Sequence, residues 1–68
     1  MIIELKRKNG RRRFVEAFQV NEIEDKVAIY HSDPERVGNR EEIVKADYEY
    51  IKVKNAGGQS TWLKRRGK

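Results

Sequence analysis

Cations are the residues of this chain with the clearest chemistry. Lys6, Arg7, Lys8, Arg11, Arg12 and Arg13 crowd one eight-residue stretch whose other members are Asn9 and Gly10. Residues 1–13 and 64–68 together hold ten Lys or Arg and one acid, a net of +9. Residues 14–63 hold six Lys or Arg and ten acids, a net of −4. A uniformly solvated surface has no reason to segregate charge in this way, so the two ends read as contact regions for an anionic partner. Each Lys or Arg that reaches a phosphate releases counterions, and affinity then falls steeply with salt. Lys64, Arg65 and Arg66 extend the basic set. A second group, Tyr48, Tyr50, Lys52 and Lys54, alternates along one stretch. Rings interleaved with cations on a strand resemble single-strand stacking platforms, with bases on the rings and phosphates on the cations. The plainer reading is that tyrosine is a common strand residue and packs locally.

Catalytic chemistry finds no such support. The chain has no cysteine, and His31 is its only histidine, which excludes the common Cys/His zinc sites. No Ser–His–acid spacing is defensible, and Gly38 alone cannot form a phosphate-cradling loop. Glu16 stands without a carboxylate partner, so no acid/base pair is expected. A chain of 68 residues would also struggle to enclose a pocket of ~300 Å³ or more. The expectation is a binding protein, not an enzyme, with no catalytic residue, metal or cofactor.

The elements that must carry these residues read mainly as strands. Asn9-Gly10 is a strong signal for a type I′ hairpin turn, which needs positive φ at both positions. A two-residue loop there pairs strand 2–8 with strand 11–20. Leu5 then faces Phe14, and Ile3 faces Glu16. Lys8, Arg7 and Lys6 face Arg11, Arg12 and Arg13. Like charges directly opposite are destabilising, which argues for a bound anion at the tip. Long charged side chains that splay and protect an edge strand are the alternative. Phe14, Phe18 and Val20 share a face with Glu16, a discord on a face otherwise suited to a core.

Residues 21–25 read as a polar turn, and 26–32 as a third strand with Val27, Ile29 and His31 on one face. Ser32–Asn39 is a loop marked by Asp33-Pro34 and Gly38-Asn39. Asn39 and Glu42 have the spacing of a capping box, which favours a short helical turn at 40–46, although Ile43-Val44 would also suit a strand. Residues 48–54 and 59–64 are the last two strands. A four-residue loop, Asn55–Gly58, sets Trp62 against Ile51 and Leu63 against Tyr50.

The resulting fold is a single β domain over residues 1–64 with a basic, disordered tail at 65–68. Five short strands suggest an SH3-like or OB-like partly open barrel with a helical turn near 40–46. The alternative is an α+β sheet with that helix covering one face. Its expected core is Leu5, Phe14, Phe18, Ile29, Ile51, Val53 and Trp62. Such a short chain buries roughly 60% of its unfolded surface, so a partner or a second copy, as a homodimer, would help it. No segment approaches the ~20 apolar residues of a membrane span, and the N-terminus lacks a signal-peptide layout. A cytoplasmic protein without a membrane partner is expected.

Val15-Glu16-Ala17-Phe18-Gln19 resembles a Val-Glu-Ala-Phe-Gln strand that recurs in small phage-encoded proteins with a C-terminal Gly-Asp-Tyr strand. Ala46-Asp47-Tyr48 stands where that family has Gly-Asp-Tyr, and Gly58 and Trp62 follow at comparable spacing. The resemblance covers about a third of the chain and implies a phage or prophage origin; it transfers no functional residue. Two functions are therefore expected from different classes. One is a nucleic-acid-binding module for DNA or RNA, using Lys6, Arg7, Lys8, Arg11, Arg12, Arg13, Lys64, Arg65 and Arg66 on phosphates, with Tyr48, Tyr50, Lys52 and Lys54 beside them. The other is a phage-encoded protein-interaction module that docks on an acidic host surface.

Overall fold

A computed structural model of the chain describes residues 1–32 and 39–66. These residues form six antiparallel strands: β1 (Ile2–Arg7), β2 (Arg12–Ile23), β3 (Lys26–His31), β4 (Arg40–Val44), β5 (Tyr48–Lys54) and β6 (Ser60–Lys64). They make one curled, half-barrel sheet in the order β4-β3-β2-β1-β5-β6. The fold is mainly β, as expected, with six strands in place of five. The added strand is β4. Residues 40–44 pair with β3, Ile29 opposite Glu41 and Val27 opposite Ile43, so the expected helical turn at 40–46 shrinks to a 3-10 turn at Lys45–Asp47. Tertiary pairing has overridden the capping-box spacing: the chain gains a full ladder on β3 and buries Ile43. Of the expected Ser32–Asn39 loop, residues 33–38 lie outside the described residues.

Two hairpin loops decide which side chains become core. In the first, the Gly10 amide donates to the Arg7 carbonyl, and the Arg7 amide donates to the Arg11 carbonyl. The loop is therefore Lys8-Asn9-Gly10, three residues, with only Gly10 at positive φ (92°). This is the turn-plus-glycine-bulge hairpin and not the type I′ turn. Asn9 contributes through its side chain, whose Oδ1 accepts from the Arg11 amide at 3.0 Å. The extra loop residue slips the register by one: Glu4 faces Phe14, Leu5 faces Arg13 and Lys6 faces Arg12. In a strand, a one-residue slip exchanges the two faces.

The second hairpin repeats the device. Gly58 donates to the Asn55 carbonyl, Asn55 donates to the Gln59 carbonyl, and Gly58 sits at φ 88°. Lys52 consequently faces Trp62, and Val53 faces Thr61.

The core follows from these registers. Ile3, Leu5, Val15, Ala17, Val27, Ile29, Ile43, Tyr48, Ile51 and Val53 form one buried cluster, with Val20 and Leu63 packed against it. Leu5, Ile29, Ile51 and Val53 are where the sequence reading expects them. Phe14, Phe18 and Trp62 are not: they are 63%, 58% and 37% exposed, on the outer face. Glu16 ceases to be a discord, because its whole face points outward. A bulge between Ala17 and Gln19 then parts Val20 from Phe18 and bends β2 from one half of the sheet into the other. β2 also runs through the expected polar turn as far as Ile23, and Glu24 takes the turn at φ 53°, a conformation unusual for a residue with a Cβ.

Candidate functional site

The six cations of the first hairpin have different fates. Arg7, Lys8, Arg11 and Arg12 are exposed at and beside the loop, and none of them pairs with a carboxylate among the described residues. The Arg7 guanidinium lies 5.4 Å from the centre of the Tyr48 ring. Lys6 is half-buried with Nζ 3.7 Å from Glu49. Arg13 turns to the inner face, opposite Leu5. Its two terminal nitrogens donate to both oxygens of Glu41 at 2.7 Å. The three stacked cationic pairs expected at the tip therefore do not form. Two cationic pairs stay opposed in place of three, Arg7 with Arg11 where the loop closes and Lys6 with Arg12, so the repulsion at the tip is reduced and not removed.

Arg13 belongs to an internal network. Glu41 Oε1 also lies 2.9 Å from Nε2 of His31, which is buried. The sheet brings the three together because β2, β3 and β4 are neighbours and the slipped register turns Arg13 inward. The Arg13 hydrogen bonds, with help from His31, hold the Glu41 carboxyl down at about 2. The same contact pushes the Arg13 guanidinium up. A bidentate Arg–carboxylate pair with a histidine behind it fixes β4 to β2 and β3. It is a structural assembly, and Arg13 is not available to a phosphate. Spotting it from sequence required reading 40–44 as a strand, which puts Glu41 and Ile43 on the inner face.

The Tyr48, Tyr50, Lys52, Lys54 stretch is also divided. Lys6 faces Tyr50 and the next residue, Arg7, faces Tyr48, so an irregularity in β5 sends the two rings to opposite sides. Tyr48 joins the core. Tyr50 remains on the outer side but is covered there, 5% exposed, and its hydroxyl donates to Glu4. That bond to a carboxylate, reinforced by burial, raises the Tyr50 hydroxyl above its ordinary range. Of the C-terminal cations, Lys64 is satisfied internally, donating to the carbonyls of Lys45 at 2.8 Å and Tyr48 at 2.6 Å. Arg65 and Arg66 instead lie over rings, 5.7 Å from Trp62 and 5.6 Å from Tyr50. Arg66 Nε also contacts Glu49 at 3.0 Å.

What remains on the outer face is a continuous surface. Register sets Phe14, Glu4, Lys52 and Trp62 in one row across β2, β1, β5 and β6. The adjoining row holds Arg12, Lys6 and Tyr50, with Arg66 over the ring. Trp62 meets Tyr50 edge-on at 5.5 Å between centroids, and Lys52 lies 5.5 Å from the Trp62 ring. Two open clefts adjoin there. One, of about 410 Å³, is lined by Tyr50, Trp62, Arg65 and Arg66. The other, of about 300 Å³, is lined by Ile2, Glu4, Phe14, Lys52 and Lys54. On the far side of β2, Phe18 lies 5.9 Å from Tyr30, whose hydroxyl accepts from Arg40 at 3.1 Å. Cationic segments 50 and more residues apart in sequence thus meet on one side of the sheet. Sequence reasoning missed Phe14, Phe18 and Trp62 as surface residues. For the two phenylalanines the signal was present in Glu16, which shares their face on β2.

Compared with protein-family models, curated proteins and solved structures, the chain matches none. Among the described residues no helix is long and apolar enough to cross a membrane.

Proposed function

We propose that this protein is a small nucleic-acid-binding module. Arg7, Lys8, Arg11 and Arg12 at the first hairpin supply phosphate contacts, joined across the outer face by Lys52, Lys54 and Arg65. The observation that carries this reading is the clustering of unpaired cations at the tip. Arg13, Lys64, Lys45 and Arg40 are engaged by carboxylates or carbonyls, whereas the four tip cations have no carboxylate partner among the described residues. Unpaired, clustered cations on a rigid hairpin attract polyanions and contact them largely without regard to sequence.

The fold is compatible with this role. We read it as the SH3-like version of a small barrel, opened and extended by β6. An OB-like barrel is a Greek key, whereas here each hydrogen-bonded neighbour is the next strand in the chain except β1 with β5. The test is binding of labelled single-stranded and duplex oligonucleotides at about 50 mM salt. Retention of either, lost in an Arg7→Glu, Arg11→Glu, Arg12→Glu variant, is expected. Absence of binding to both ends the proposal. A single stoichiometric protein partner captured after nuclease treatment, through the same tip, would favour docking on an acidic protein surface instead.

A further inference from the structure

The nucleic-acid reading leaves the outer-face rings without a task. Phe14 and Phe18, at 63% and 58% exposed, are the most solvent-accessible large apolar side chains described. A small domain that could have turned these two phenylalanines inward buries Val15 and Ala17 in their place. Exposed rings grouped on one face mark a contact surface. The charge around them narrows the contact. Lys52 stands beside Trp62 in the cross-strand row that runs on through Glu4 to Phe14, Arg65 lies over Trp62, and Arg12 borders Phe14 along β2.

Resting on the nucleic-acid reading, we infer that the ligand is single-stranded and that its bases stack on Phe14 and Trp62, with Phe18 continuing the path along β2. Neighbouring strands lie ~4.8 Å apart, so three strand steps separate Phe14 from Trp62 by about 14 Å. An extended strand of a few nucleotides crosses that distance, with Lys52 next to Trp62 placed for a phosphate and Glu4, which accepts from the Tyr50 hydroxyl, lying between Lys52 and Phe14. A ring can stack only on an unpaired base, because duplex bases present their edges and not their faces to a protein. A second copy of this chain is a poorer occupant. Face-to-face pairing would oppose Arg12, Lys52, Lys54 and Arg65 to themselves, with Glu4 and Glu16 the acids set among them.

The experiment compares the wild type with Phe14→Ala, Phe14→Leu and Trp62→Ala on a labelled oligothymidylate and on a duplex of equal length. Thermal unfolding and sedimentation of each variant accompany the binding curves. Loss of a stacked base is expected to weaken oligothymidylate binding about five- to a hundredfold per ring. Phe14→Leu, apolar but without a π face, is expected to lose nearly as much as Phe14→Ala. Duplex binding and the salt slope stay unchanged, because a ring releases no counterions. Trp62 is the only tryptophan, so its fluorescence is quenched by the single strand in the wild type and in the Phe14 variants. Ring variants that bind the single strand like the wild type overturn the inference, and so do equal losses on single strand and duplex. Either result leaves the nucleic-acid reading standing if the Arg7, Arg11, Arg12 charge reversal still abolishes binding. If the wild type binds no nucleic acid, both readings fall. Self-association lost in Phe14→Ala, without any change in oligonucleotide affinity, would assign the face to a dimer and overturn the inference.

Discussion

The inner and outer faces of β1, β2, β5 and β6 are built from the same short strands and contain similar residue types, yet they are opposite in character. Arg12 and Arg13 are chain neighbours. Arg12 lies exposed beside the hairpin loop, while Arg13 is locked onto Glu41 beneath the sheet. Val15 is buried next to a Phe14 that is mostly solvent-exposed. The difference teaches that hydrophobicity alone did not allot these faces. The two three-residue loops did, each by placing a glycine at positive φ and shifting its strand by one position.

The largest break in this comparison comes from the core. Ile51→Ala removes a fully buried side chain and is expected to cost about 2–5 kcal/mol. Total stability for such a domain is only ~5 kcal/mol, so this variant should keep no more than about 3 kcal/mol and unfold at much lower denaturant. Phe14→Ala on the outer face should fall within about 0.5 kcal/mol of the wild type. Denaturant titration of both compares the faces directly, and equal losses would refute the assignment of faces.

Next in size is the inner-face ion network. Glu41→Gln leaves Arg13 and the buried His31 facing a neutral amide, and should cost about 1–2 kcal/mol, since the site is partly solvated. Its pH dependence has a definite sign. Folding lowers the Glu41 pKa from 4.5 to about 2, so its contribution is fully present above 4.5. It is lost as the pH falls from there towards 2. Stability measured across that acid range should decline less in Glu41→Gln than in the wild type. An identical decline would show that the network does not contribute.

Smaller again is the loop glycine. No atom lies within 4 Å of the position a Gly10 Cβ would take, so Gly10→Ala meets no steric obstacle. Its cost is conformational, about 1 kcal/mol, for an L residue held at φ 92°. Gly58→Ala should behave alike. Smallest of all are the tip charges. Arg11→Gln or Lys8→Gln should leave the unfolding midpoint within about 0.5 kcal/mol while weakening any polyanion contact.

Much of this was legible in the residues. Alternation over 26–31 and 48–54 placed Ile29, His31, Ile51 and Val53 on the inner face, and the Asn-Gly pair located the first turn. What could not be read was register. Asn9-Gly10 suits both a two-residue and a three-residue loop, and the choice between them moves Phe14 and Phe18 from core to surface; the second hairpin does the same to Trp62, with a loop of three residues where four were expected. Glu16 on the phenylalanine face was the local sign that the three-residue loop is correct. The bulge in β5 that separates Tyr48 from Tyr50 has no evident sequence signal. Nor was the long-range pairing of residues 40–44 with β3 visible locally, because Asn39 and Glu42 are equally at home at a helix start. The candidate site was legible as a type of charge and not as a surface. Of the cations that the sequence singled out, Arg13 and Lys64 found partners inside the fold, while Arg7, Lys8, Arg11 and Arg12 lie exposed at the tip.

The most direct test of the proposed function is the salt dependence of oligothymidylate binding by the wild type. The four tip cations together with Lys52, Lys54 and Arg65 predict a log–log slope of roughly −5, at about −0.7 per single-strand phosphate, of which the tip supplies about −3. Reversing Arg11 and Arg12 should flatten it. A flat dependence, or no binding at about 50 mM salt, would contradict a nucleic-acid role for the hairpin tip.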